Sequence, residues 1–144
     1  MNIREFLAKH SFKSYSSAAN SLDSFRADGT ALMQLWDRRC SLVHEASKPE
    51  QYMRVKCWDA KHFAAEGKNL AVVCAGRRKS IHHVAAGGRA FVVMSAPPPS
   101  ITLGPGVWAS NANFERVYPV ITIDHADNGD IFVIVGRPVE TTAI

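Results

Sequence analysis

The segment CAGRRKSIHHV, residues 74–84, concentrates residue types that could bind anions or move protons. Its candidate side chains are Arg77, Arg78, Lys79, His82 and His83. Lys and Arg neutralise phosphate groups, and a histidine changes its charge near neutral pH. On a helix each histidine lies one turn after a cation, so the polar groups form two adjacent rows. The spacing favours a broad anion-facing surface over an acid–base pair, and a solvated helix face is the alternative.

A second candidate surface lies on YMRVKCW, residues 52–58, where apolar and polar or aromatic residues alternate. This pattern is typical of a strand. It places four side chains on one face: Tyr52, Arg54, Lys56 and Trp58. Cations neutralise phosphates, and aromatic rings stack on unpaired bases at about 1–3 kcal/mol for each base. The face is therefore a candidate nucleic-acid-binding surface, unless the rings pack beneath helices and the cations extend past them.

Three further residues could extend this surface. Arg38 and Arg39 directly follow a predicted strand, and Trp108 ends a loop rich in Pro and Gly at 97–108. Rigid loops of this composition are often functional. If these segments lie beside 52–58 and 77–79, the cations form one continuous basic groove with Trp108 as an additional stacking group.

No catalytic or metal-binding motif accompanies these residues. The six histidines and three cysteines lack the ligand spacing of a zinc site, and no G-x-S-x-G nucleophile motif is present. We therefore expect no metal and no cofactor, and the sequence leans away from an enzyme. The enzymatic alternative is a small hydrolase or nuclease in which His82 or His83 acts as general base beside stabilising cations.

The charge distribution agrees with an anionic partner. The chain has 144 residues and a formal net charge of +4. Residues 1–89 contain 15 Lys and Arg against 8 Asp and Glu, whereas residues 90–144 contain 2 against 5. A basic region of this kind is typical of proteins that bind DNA or RNA, and an acidic protein partner would also suit it. No apolar run suits a membrane helix and no secretory signal is evident, so we expect a cytoplasmic protein without membrane contact.

The remaining segments predict the elements that position these residues. Helical spacing occurs at 2–10, 16–26 and 70–85, and strand patterns occur at 30–36, 52–58 and 90–96. For 69–85, one helix competes with a strand followed by a short helix. Asn128-Gly129 between two β-rich runs predicts a hairpin. Because helices cluster early and strands late, the expected fold class is α+β: a strongly bent antiparallel sheet or small β-barrel of about five strands with two to four helices packed on it.

This organisation suits a single domain over residues 1–144. It divides into an N-terminal helical segment at 1–28, a sheet-rich body at 29–136 and a short tail at 137–144. The predicted function is a nucleic-acid-binding module with a basic, aromatic-containing face and no catalysis of its own. The alternatives are the hydrolase or nuclease, and a protein-interaction, inhibitor or accessory factor.

Overall fold

The computed structural model describes residues 3–14, 23–36, 40–42, 50–61, 68–95 and 116–144. The helices are α1 (Ile3–Lys9), α2 (Lys68–Ala85) and a 3-10 helix (Thr141–Ala143). The strands are β1 (Lys13–Ser14), β2 (Asp23–Phe25), β3 (Ala31–Trp36), β4 (Cys40–Leu42), β5 (Met53–Trp58), β6 (Ala90–Ser95), β7 (Arg116–His125), β8 (Ile131–Val135) and β9 (Val139–Glu140). Arg38, Arg39 and Trp108 lie outside the described residues.

The strands form one mixed sheet in the order β1-β2-β3-β6-β7-β8-β5-β4, with β9 paired to β7. Strands β3 and β6 are parallel, and the other pairs are antiparallel. The two ends of this order do not pair, so the sheet is not closed into a barrel. The expected antiparallel sheet or small barrel of about five strands, with helices packed on it, is therefore wrong.

The parallel pair arises from the position of α2 in the chain. After β3 the chain builds the antiparallel pair β4–β5, and it then runs through α2 into β6, which lies beside β3. Two parallel strands need a crossover connection, which usually contains a helix. The long helix lies between strands and not before them, so the segregation of helices and strands that favoured α+β does not hold.

Both faces of the β3–β6 pair are covered by hydrophobic side chains. The main core, on one face, contains Met33, Leu35, Val55, Cys57, Ile81, Val92, Met94, Val133 and Val135. The second core, on the other face, contains Phe6, Phe12, Leu32, Phe91, Val93 and Val117. Successive side chains of a strand point to opposite faces, so Leu32 and Met33 fall into different cores. The β3–β6 pair therefore has α2 and β5 on one side and α1 on the other.

The prediction of one helix over 70–85 is confirmed, because α2 runs without interruption from Lys68 to Ala85. Its buried positions among residues 76–85 are Gly76, Arg77, Ser80 and Ile81. Their spacing of three and four residues places them on one face. Ile81 reaches the main core. In the part of the chain that the structure describes, no helix combines the length and apolarity needed to cross a bilayer.

The helix predicted at 16–26 is wrong where the structure describes it. Asp23–Phe25 is strand β2, antiparallel to β3. A turn joins the two strands: Gly29 adopts a φ of 88°, and Asp28 Oδ1 accepts a hydrogen bond from the Thr30 nitrogen at 2.9 Å. Ala27-Asp28-Gly29 therefore connects a hairpin, while residues 15–22 lie outside the described residues. The N-terminal helical segment at 1–28 is reduced to α1 in the described chain.

The hairpin at Asn128-Gly129 is confirmed, since β7 and β8 pair on either side of it. Gly129 has a φ of 93°, and the Asn128 side chain accepts a hydrogen bond from the Asp130 nitrogen at 2.9 Å. The first half of β7 pairs instead with β6 and β9, and a register shift follows Val120. Such a bulge bends a strand. Strand β7 therefore pairs with strands in both halves of the sheet.

Candidate nucleic-acid interface and a basic groove

The four residues predicted to share a face of β5 do not form one row. The pairing of β5 with β8 shifts register between Lys56 and Trp58, so Trp58 lies opposite Ile131 and packs against the main core. A bulge redirects the side chains that follow it. Tyr52 precedes the strand and stacks on Tyr118, with 6.4 Å between ring centroids and 11° between ring planes. Tyr52 thus packs against another ring, and Trp58 packs against the core.

The two cations left on the β5 face are held by carboxylates. Arg54 Nε lies 2.8 Å from Asp124 Oδ2, and its guanidinium lies 3.4 Å from the centroid of the Phe132 ring. Lys56 Nζ lies 3.1 Å from Asp130 Oδ2. The hydrogen bond to Asp130 raises the pKa of Lys56 above its usual range. Because each charge has a counter-charge beside it, this face offers a polyanion little net attraction.

Asp130 is itself fixed by several groups. The Ala60 backbone N–H donates to its Oδ1 at 2.9 Å, and the Asn128 amide donates to its Oδ2 at 3.2 Å. The Ala60 bond, followed by the Lys56 bond, lowers the pKa of Asp130. The carboxylate therefore remains ionised near neutral pH and keeps Lys56 paired.

Arg77, predicted as a phosphate contact, is only 3% exposed. Its guanidinium binds Asp23 through two hydrogen bonds, from Nε to Oδ2 at 2.8 Å and from Nη2 to Oδ1 at 2.9 Å. It also donates to the backbone oxygens of Gln34 and Cys57. A buried guanidinium with these partners is unavailable to an external ligand, so Arg77 is removed from the candidate surface.

The backbone partners of Arg77 lie on two strands that do not pair with each other. Gln34 belongs to β3 and Cys57 to β5, which are separated by β6, β7 and β8 in the sheet order. The sheet curls far enough for one guanidinium to reach carbonyl oxygens of both strands. We call this contact the seam. A side chain from α2 therefore bridges β3 and β5.

Three exposed polar side chains among residues 76–85 of α2 form what we call the α2 surface. It consists of Arg78, Lys79 and His82, all exposed. The Arg78 guanidinium lies 5.3 Å from the centroid of the half-buried Trp58 ring. Trp58 and Arg78, expected on separate strand and helix surfaces, are thus brought together.

The His83 side chain is held by contacts with the backbone and with a neighbouring ring. Its Nε2 lies 2.9 Å from the Arg89 backbone oxygen, and its ring meets Phe25 edge-on with 5.8 Å between centroids. His82 is exposed on the helix. Within the described chain, no group of three or more His, Cys, Asp or Glu could hold a metal ion. His83 is therefore held by a backbone oxygen and a ring, whereas His82 faces solvent.

A basic groove of about 600 Å³ opens on the other side of the β3–β6 pair, beside the second core. Its walls are formed by Lys9, His10, Ser11, Arg26, Ala27, Asp28, Arg89, Ala143 and Ile144. Four separate segments contribute to it, so no local spacing could reveal it. The sequence features that lie near the groove are two turns. Arg26 precedes Ala-Asp-Gly, and Arg89 follows Gly87-Gly88.

Comparison with known proteins gives no relative from which a role could be transferred. The sequence matches no protein-family model, and neither a curated protein nor a solved structure is detectably similar to it. The function is accordingly argued from the side chains of this chain.

Proposed function

We propose that the protein is a non-catalytic nucleic-acid-binding module that uses the α2 surface together with Trp58. The observation that carries the proposal is the exposure of Arg78, Lys79 and His82 on one helix beside an aromatic ring. Cations displace counterions from phosphates, and a ring supplies a plane on which a base can stack.

The sequence around α2 supports a positive potential at this surface. No Asp or Glu occurs between Glu66 and Glu115, so α2 carries no acidic residue of its own. This contrasts with the β5 face, where Asp124 and Asp130 lie beside the two cations. The lack of acidic residues on α2 itself supports a positive potential along this helix.

The Arg78–Trp58 pair favours unpaired bases as the ligand. Trp58 packs against the main core on one side and is half-buried, so its ring is fixed in position. A guanidinium above a ring can stack with a base as well as contact a phosphate. A single strand exposes its bases to such a platform, whereas a duplex hides them.

The proposal is tested with two double variants that remove equal charge. Binding of labelled single-stranded DNA and RNA oligonucleotides is followed by fluorescence anisotropy at salt concentrations from about 50 to 200 mM. We expect Arg78→Ala with Lys79→Ala to weaken binding and to reduce the slope of log affinity against log salt by about two, one for each phosphate contact. Arg54→Ala with Lys56→Ala serves as the matched control and leaves the slope within about half a unit, because those cations are already paired.

Circular dichroism confirms that both variants are folded. Equal reductions of the slope in the two variants would contradict the α2 surface as the site. Absence of salt-sensitive binding in the wild-type protein would contradict nucleic-acid binding altogether.

A further inference from the structure

We propose that the basic groove is a second anion site, which binds a phosphate group of a phosphorylated ligand. It lies on the opposite side of the β3–β6 pair from the α2 surface and shares none of its residues. The inference therefore does not depend on nucleic-acid binding by α2.

Two guanidiniums in the groove are held in place by buried rings. The Arg26 guanidinium lies 4.9 Å from the centroid of Phe12, and that of Arg89 lies 5.0 Å from the centroid of Phe91. Both phenylalanines belong to the second core and are 5% exposed. A planar guanidinium stacked on a fixed ring loses little freedom when it binds, and its fork of N–H donors matches a phosphate.

The charges of the groove leave it positive. The walls of the groove contain three cations, Lys9, Arg26 and Arg89, and one acidic side chain, Asp28. The Asp28 carboxylate is engaged in the β2–β3 turn, where the Thr30 backbone N–H donates to Oδ1, and it lies 3.5 Å from Arg26 Nη2. In the described part of the chain, Arg26 Nε is buried without a hydrogen-bond partner. A phosphate bound at the exposed nitrogens of the two guanidiniums would offset the excess positive charge.

The end of α1 does not compete with an anion for these donors. The carbonyl oxygens of Phe6, Leu7 and Ala8 accept hydrogen bonds from the backbone nitrogens of the three residues after the helix. Ser11, the last residue of this turn, adopts a φ of 62° and lies in the groove lining. Three carbonyl oxygens in the last turn of α1 are therefore satisfied within the chain.

His10 reports on the potential inside the groove. Burial, followed by the charges of Lys9 and Arg26, lowers its pKa below the usual value. The other charged side chains that face the groove are Arg89 and Asp28. An anion placed among these cations favours the protonated imidazole, so binding must raise the pKa of His10. By linkage, the same anion binds more tightly once His10 is protonated.

The groove is open to solvent, so it can admit a phosphate group carried on a larger molecule. The phosphate could belong to a free phosphorylated compound or to the backbone of a nucleic acid. Both present the same chemistry to Arg26, Arg89 and His10.

The test is an NMR titration of the His10 ring against pH in the full chain. One arm adds inorganic pyrophosphate, and the other adds a short oligothymidylate. A third sample contains sodium chloride at matched ionic strength, because screening of Lys9 and Arg26 alone also raises the pKa. We expect an increase of about one unit beyond the chloride sample, which corresponds to about tenfold tighter binding to the protonated protein.

A response to pyrophosphate supports a site for free phosphorylated compounds, and a response to the oligonucleotide alone supports backbone binding. If neither ligand changes the pKa beyond the chloride effect, the groove is not a phosphate site.

Two variants assign the response to the groove. Arg89→Ala is expected to reduce the pKa increase at least threefold, and Lys9→Ala provides a second exposed position if the first variant does not fold. Arg137→Ala is the matched control: Arg137 is also exposed and lies over a ring, 5.5 Å from the Tyr52 centroid, but outside the groove. An equal loss in the Arg89 and Arg137 variants would overturn the proposal.

The α2 double variant separates this inference from the proposed function. Arg78→Ala with Lys79→Ala should leave the response of His10 to pyrophosphate unchanged. Loss of the response in that variant would mean that the two surfaces are one site and would overturn the separation.

Discussion

The contribution of the buried Cys57 side chain to stability depends on pH. The residue is 1% exposed in the main core, and its thiol donates a weak hydrogen bond to the Ile131 oxygen at 3.4 Å. Burial raises the pKa of this thiol from 9.0 to about 12. The folded protein therefore retains the proton at a pH where the unfolded chain has lost it.

This difference predicts a loss of stability in alkali. The contribution of Cys57 is fully present below about pH 9 and is lost as the pH rises through the folded-state value of about 12. Between about pH 8.5 and 10.5, the free energy of unfolding should fall by about 2 kcal/mol from this group alone. Cys57→Ser keeps a donor for Ile131 and does not titrate there, so its urea-unfolding profile should be flatter by that amount. Parallel profiles for the two proteins would contradict the assignment.

At the residue scale, the sequence identifies cations but not their partners. Arg54 and Arg77 have the same side chain, yet Arg54 is paired at the surface and Arg77 is buried. Their carboxylates lie 70 and 54 residues away along the chain. Local spacing could place both arginines on a strand or helix face, but only the tertiary fold brings Asp124 and Asp23 to them. The exposed Arg78 and Lys79 agree with the predicted polar rows of the helix.

At the element scale, the junction between α2 and β6 depends on a close approach. The His83 ring lies against the backbone at Gly88 and contacts the oxygen of Arg89. A Cβ atom at position 88 would collide with the imidazole. The glycine is thus required by the histidine and not by an unusual backbone angle.

This contact predicts a coupling between the two positions. Gly88→Ala should lower the free energy of unfolding by about 1–3 kcal/mol, because the ring must leave its place and lose its hydrogen bond. In a His83→Ala background the same glycine change should cost less, by about 0.5 kcal/mol or more, as is typical of residues in contact. Urea unfolding of the wild type, the two single variants and the double variant measures this cycle. Strictly additive costs would exclude the steric explanation.

Periodicity predicted several elements and failed at specific points. Strands β3, β5 and β6, helix α2 and the hairpin at Asn128-Gly129 follow their apolar patterns and turn residues. Strand β2 is only three residues long, too short for alternation to outweigh helical spacing. The bulge before Trp58 has no local signal, because it is set by pairing with β8.

At the scale of the whole molecule, the seam holds a curled but open sheet. The charges of Arg77 and Asp23 are removed from water, with side chains 4% and 1% exposed. Three strands and α2 meet at this one guanidinium. The predicted strongly bent antiparallel sheet or small barrel is wrong, and local patterns could not show that Arg77 joins β2, β3 and β5, because its partners are distant in the sequence.

Because the seam is buried, the same Asp-to-Asn substitution should cost more stability there than at a surface ion pair. Asp23→Asn should lower the free energy of unfolding by about 3–5 kcal/mol, since it leaves a buried positive charge without its partner. Asp124→Asn removes the same charge from the surface pair with Arg54 and should cost less than about 1 kcal/mol. Denaturant unfolding monitored by tryptophan fluorescence gives both values. Similar costs for the two variants would show that the Arg77 pair is not a buried determinant of stability.

The seam also has a kinetic consequence. Its guanidinium gains its partners only when segments 54, 43 and 20 residues away are already in place. Distant contacts form slowly, and an isolated charge resists leaving water. We therefore expect the seam to form after the folding transition state, so that Asp23→Asn accelerates unfolding in stopped-flow experiments and leaves refolding unchanged. The local hairpin and helix determine how quickly the fold is reached, and the buried pair determines how long it lasts.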